Sequence, residues 1–210
     1  MIQPPSKSCG PCSFCCKVMS ITELDKPVGR WCQHAKKRGG CAIYGAHPHS
    51  CQVFSCQWLM QPELPEEFRP DKSGVVLHSE VDGQRLVAHC DPARPVAWRR
   101  EPMFTFLRDQ ASFTWPSDKC VVAKAGKRLW FIAPAEEIDL GEVDERSPLE
   151  TIKHSDGRAT VKVLDPIPEG VDVDQAVAAL SAGLRSLLPI APRMPPSARP
   201  RKRKNLGESR

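Results

Sequence analysis

The chain has 210 residues, a net charge of +5, 40% hydrophobic residues, 21 prolines and ten cysteines. That apolar share supports a real core and excludes a wholly disordered protein. No run reaches the roughly eighteen apolar residues needed to span a bilayer, and the opening residues lack the basic-then-apolar pattern of a secretory signal, so a soluble cytoplasmic protein without a membrane partner is expected.

The charge is uneven. Residues 1–60 carry seven Lys/Arg against two Asp/Glu, residues 61–188 sixteen against twenty-two, and residues 189–210 seven against one. A uniformly basic nucleic-acid binder has a different profile. The cysteines cluster too: Cys9, Cys12, Cys15, Cys16, Cys32, Cys41, Cys51 and Cys56 lie close together, while Cys90 and Cys120 stand alone. In a reducing compartment such clustering points to metal ligation rather than to a disulfide framework or to thiols buried for packing.

Taken in chain order, residues 1–60 form a cysteine-rich module with short, turn-rich loops, such as Gly39-Gly40 before Cys41. Its apolar residues are too few for a core of its own, which predicts a metal staple. Residues 61–72 read as a proline-containing connector. Residues 74–90 predict a β-hairpin around Asp82-Gly83. Met103, Phe104, Leu107 and Ala111 predict a helix over 99–113, with Pro102 suited to its first turn. A second hairpin is expected over 120–133 around Gly126, and one more strand over 159–164. The carboxylates between 136 and 150 read as a solvated acidic face. An amphipathic helix is expected over 173–188, with Val173, Val177, Leu180, Leu184 and Leu187 on one face and a capping box at Asp172 and Gln175. Residues 189–210, rich in Pro, Arg and Lys, predict a disordered basic tail. The expected architecture is α+β: a metal-stapled N-terminal module (1–60) packed on a small antiparallel β unit with two helices (61–188), then the tail.

Cys9-x2-Cys12-x2-Cys15-Cys16 is the chemical centre of the sequence. Two-residue spacing lets a tight turn aim two sulfurs at one ion. Thiolate is the ligand, so binding expels protons, and soft sulfur selects zinc, copper(I) or an iron–sulfur cluster over magnesium or calcium. Two ligand plans stay open at this level. Eight thiolates could build two closed zinc sites, or a subset could hold a [4Fe–4S] cluster while the rest serve another role. Adjacent Cys15 and Cys16 should face different partners, or one of them should be a free thiol near the site. His34, His47 and His49 are candidate additional ligands, with His34 equally suited to donate to a ligand. Cys90 and Cys120 read as half-buried sheet thiols. Tyr44, the single tyrosine, reads as packing against the cluster.

The combination of Cys9–Cys16, Trp31-Cys32-Gln33-His34, Gly40-Cys41-Ala42-Ile43-Tyr44 and Cys51 through Cys56 to Trp58-Leu59 resembles the zinc- or iron-chelating CxxCxxCC family, the YkgJ-type cysteine cluster proteins. The resemblance covers residues 9–60, and the stretch from Arg69-Pro70-Asp71 to Trp98 looks like the family's continuation. It implies a bacterial, cytosolic metal chelator with all eight clustered cysteines as ligands. Some members are similar to a flagellin lysine N-methylase with an iron–sulfur centre, which would add a protein substrate. His47-Pro48-His49 departs from the Arg-Pro pair common in the family. No phosphate loop, dinucleotide fingerprint, HExxH or GxSxG is present. A third reading is a zinc-ribbon-like nucleic-acid binder using the run Arg199-Pro200-Arg201-Lys202-Arg203-Lys204. That tail has no aromatic residue on which bases could stack.

Overall fold

The computed structural model describes residues 7–80 and 83–171. The helix expected over 173–188 and the basic tail lie outside the described residues.

Four short helices precede and enter the main fold: α1 (Cys15–Val18), α2 (His49–Val53), α3 (Gln57–Met60) and α4 (Pro70–Ser73). The sheet follows, with β1 (Val75–Glu80), β2 (Arg85–Cys90), β3 (Cys120–Ala125), β4 (Arg128–Ile132) and β5 (Glu137–Glu142) side by side in that order. Helix α5 (Met103–Thr114) lies in the crossover between β2 and β3. A separate two-stranded sheet is formed by β6 (Leu149–Lys153) and β7 (Ala159–Val163). No helix among the described residues is long and apolar enough to cross a membrane.

Both expected hairpins form. β1 pairs antiparallel with β2, with Val75 opposite Cys90, and Gly83 adopts the left-handed φ of +83° that the connecting turn requires. β3 pairs antiparallel with β4. The two hairpins do not join as an antiparallel unit, however. β2 runs parallel to β3, Arg85 opposite Cys120, so the sheet is mixed. The cause is the long connection: residues 91–119 carry the chain back across the sheet face, as a parallel pair demands. The expected helix begins at Met103, and its Met103, Leu107 and Ala111 are buried at i, i+4 and i+8.

Two apolar layers hold the molecule together. On one face, α5 packs with Trp98, Leu77, Cys90, Val121, Ala123, Trp130 and Ile132. On the other, Val87, Val122, Leu129, Phe131 and Val143 meet the inner residues of β6 and β7. Cys90 is fully buried rather than half-buried, because it points into the first layer, and burial pushes its thiol up to about 12. Cys120 is only partly buried.

The cysteine module does not stand apart. Its Val18, Cys56, Trp58 and Leu59 belong to the same buried cluster as β1 and α5. Lys17 on α1 forms an ion pair with Asp91, just past β2. The apolar residues too few for a separate core are completed by the sheet.

His78 and His89 share one sheet face, with ring centroids 6.0 Å apart. Both are buried and neither Nε2 has a hydrogen-bond partner, the Glu80 carboxylate lying 3.8 Å from that of His78. Burial, reinforced by His78, Lys124 and Lys26, lowers the His89 imidazole to about 3. Burial likewise lowers His78, against the pull of Glu80. A depressed folded pKa means that stability is present above the unfolded value of about 6.5 and is lost as pH falls from there toward 3. We expect about 2–4 kcal/mol of unfolding free energy to disappear between about pH 6.5 and pH 3.5 through His89. Urea unfolding across that range, compared with His89→Gln, checks this: the variant should show the flatter profile, and identical slopes would refute the assignment.

Candidate functional site

All eight clustered cysteines line one cavity of about 660 Å³. This convergence is built from short local devices. The Cys12 amide donates to the Cys9 carbonyl at 2.8 Å, closing the turn between the first two cysteines. Cys15 and Cys16 open α1, where successive side chains diverge by about 100°. The Cys32 amide donates to the Cys16 carbonyl at 3.0 Å, which sets Cys32 beside α1. Cys41 lies opposite Ala35 in an isolated antiparallel bridge. The amide and hydroxyl of Ser50 donate to the Glu23 carboxylate at 2.9 and 2.8 Å, fastening the helix that carries Cys51. Cys56 precedes the first residue of α3 and sinks into the shared core.

Gly39 makes the closest approach in the module. It has φ +88°, and a Cβ there would stand 1.8 Å from the Pro11 carbonyl oxygen. The loop carrying Cys41 therefore lies against the turn between Cys9 and Cys12. Gly39→Ala should cost about 2–4 kcal/mol, since backbone must shift on one side or the other. Chemical denaturation measures this; a loss below about 0.5 kcal/mol would mean the loop accommodates the methyl freely.

The thiols influence one another. Burial raises Cys9, with further upward pressure from Cys56 and Cys16. Burial raises Cys12 to about 11, against backbone donors at Phe14 and Asp71. Cys15 is pushed well up by its hydrogen bond to Cys16 and by burial. The same bond lowers Cys16 to about 7, helped by the Lys26 ammonium. Burial also raises Cys51 and Cys56. All ten cysteines are free thiols.

Two lysines and an aspartate serve the site without having stood out in the sequence. Lys26 is only 8% exposed. Its Nζ donates to the carbonyls of Lys17 (2.8 Å) and Met19, and its charge acts on Cys16, Cys32, Cys15 and Cys51. Lys7 donates to the carbonyls of Gln61 (3.1 Å) and Leu64, lies 4.8 Å over the Trp58 ring, and attracts the Cys56 thiolate. Asp71 on α4 takes a hydrogen bond from the Cys12 thiol while paired with Arg69. A lysine or aspartate among loops reads as solvent-facing. The Arg69-Pro70-Asp71 continuation touched Asp71, and no sequence signal marked Lys7 or Lys26.

The histidines are less involved. His34 lines the cavity, and its backbone amide points at the Cys32 sulfur at 3.5 Å. His47 lines it too, with Nδ1 accepting from the Gly45 amide at 3.1 Å. His49 opens α2 near Glu23 and does not line the cavity. Tyr44 is 73% exposed, so it supplies no core; its ring stacks on His47 at the rim, 5.0 Å between centroids.

Among the described residues, no three His, Cys, Asp or Glu side chains already surround one point as a metal cage. The donor set nevertheless fits a soft cation: eight cysteines lining one cavity, with the buried Lys26 and the half-buried Lys7 to offset thiolate charge. Rotation of χ1 between staggered positions swings a cysteine sulfur without moving the backbone. Comparison with family models, curated proteins and solved structures finds no match. The CxxCxxCC resemblance therefore rests on the motifs quoted above.

Proposed function

We propose that this chain chelates a soft metal, as zinc or an iron–sulfur cluster, through the thiolates of Cys9, Cys12, Cys15, Cys16, Cys32, Cys41, Cys51 and Cys56. The observation that carries the reading is the shared cavity. The first and last of these cysteines stand 47 positions apart in the chain, yet all eight line the same space. Packing alone gives no reason to gather that many thiols, most of them raised by burial, around one cavity. Metal coordination does, because a bound cation converts costly buried thiolates into bonded ligands.

Lys7 and Lys26 fit this role. A centre of four thiolates on a divalent ion carries two net negative charges, and a fixed ammonium offsets part of it. Asp71 would orient Cys12 by accepting from its thiol in the metal-free chain, and the thiol would release its proton to solvent when the ion binds. Oxygen-free purification followed by metal and acid-labile sulfide analysis tests the proposal. Stoichiometric zinc without sulfide, or iron with matching sulfide, is the expected result. A folded chain that takes up neither would defeat it.

A further inference from the structure

A second cavity, of about 320 Å³, lies back to back with the cysteine cavity and shares only Met19 and Ser20 with it. None of the clustered cysteines lines it. We propose that it binds a small organic carboxylate. Lys124 and His89 hold the anionic group, and a short hydrocarbon body lies against Val87, Val122, Leu129 and Val143.

The main sheet builds the floor. Where β2 runs parallel to β3, Val87 stands opposite Val122 and His89 opposite Lys124. Lys124 stands opposite Leu129 on β4. All five side chains line the cavity, so apolar and polar groups share one surface. The cysteine module closes one side with Met19, Ser20 and Val28, and the segment after β5 closes another with Val143, Asp144 and Glu145. His89 is 4% exposed, and its Nε2 has no hydrogen-bond partner. A buried polar atom left without a partner is costly. A neutral imidazole carries one N–H, which can donate to a carboxylate oxygen.

The charges are layered by depth. The Lys124 side chain is 19% exposed, and its partner Glu145, 2.9 Å away, is 64% exposed. Arg85 is likewise more sheltered than Glu80, its partner at 3.7 Å. In both pairs the cation lies inside and the acid outside, so the interior of the cavity favours a negative charge. A carboxylate in so exposed a pair is weakly held. Glu145 therefore occupies a position at Lys124 that a ligand carboxylate can take over. The apolar walls choose among anions. A bare phosphate has nothing to place against Val87, Val122, Leu129 and Val143, whereas a short-chain carboxylate does. The volume is at the small end for ligand sites, which limits the body to a few carbons.

The test titrates the full chain calorimetrically with three probes: 3-methylbutanoate, its uncharged amide and inorganic phosphate. The carboxylate should bind with a Kd of about 1 mM or tighter, and the other two roughly tenfold more weakly or worse. Lys124→Met should weaken carboxylate binding roughly tenfold or more. Glu145→Gln should tighten it severalfold, because the competing carboxylate is gone. That exposed substitution probes the same pair even if Lys124→Met fails to fold. The His89 ring nitrogens, followed by NMR, should shift when the carboxylate binds. Absence of carboxylate binding, equal binding of phosphate or of the amide, or an affinity that Glu145→Gln leaves unchanged would overturn the proposal. Each of those results leaves metal chelation by the cysteines untouched.

Discussion

On the chelation proposed above, stripping the metal from the purified chain should lower its unfolding free energy by on the order of 5–10 kcal/mol. The expectation follows from where the cysteines sit. Cys56 is part of the main buried cluster, and Val18 at the end of α1 is fully buried in it. Loss of the ion would leave crowded thiols with nothing to bond, and the elements that carry them would loosen. Because those elements cover β1, the disturbance should reach the sheet rather than stay in the first 60 residues. Thermal unfolding with and without a strong chelator, followed by tryptophan fluorescence, reports this directly, since Trp58 and Trp98 share that cluster. An unchanged midpoint would show that the module is held by packing alone.

Trp98→Ala should cost about 3–5 kcal/mol. Trp98 is 0% exposed. Its ring lies 6.0 Å from Trp130 and 6.2 Å from Phe104, centroid to centroid, with the Arg99 guanidinium 4.7 Å away. Trp98→Phe should cost much less, because it keeps most of the ring and removes a buried indole N–H that has no acceptor. Urea denaturation of the two variants gives the comparison, and equal losses would mean that ring volume is not what counts there.

The parts of the fold that were legible in the sequence are those governed by neighbours along the chain. Gly83 and Gly126 mark turns between apolar runs, so both hairpins could be read. Met103, Leu107 and Ala111 recur at helical spacing, so α5 could be read. The parallel pairing of β2 with β3 could not, because it depends on how residues 91–119 cross the sheet. β5 was hidden by its own charges. Glu137, Asp139 and Glu142 read as a solvated acidic stretch, yet Arg99 and Arg128 pair with the first two and let an edge strand form. The clustering of the cysteines was plain from spacing. The other residues that act on them, Lys7, Lys26, Glu23 and Asp71, were not, because their types ordinarily face water.

The shared core also has a consequence for synthesis. The cysteines are translated first, but the surfaces that bury Val18, Cys56, Trp58 and Leu59 include Trp130 and Ile132, more than seventy residues later in the chain. Until β4 has left the ribosome, the buried cluster that holds Cys56 is incomplete. During that interval the thiols are open to oxidants and to stray copper. On the proposed chelation, loading with the ion therefore belongs after translation of the sheet, when the shared core is complete.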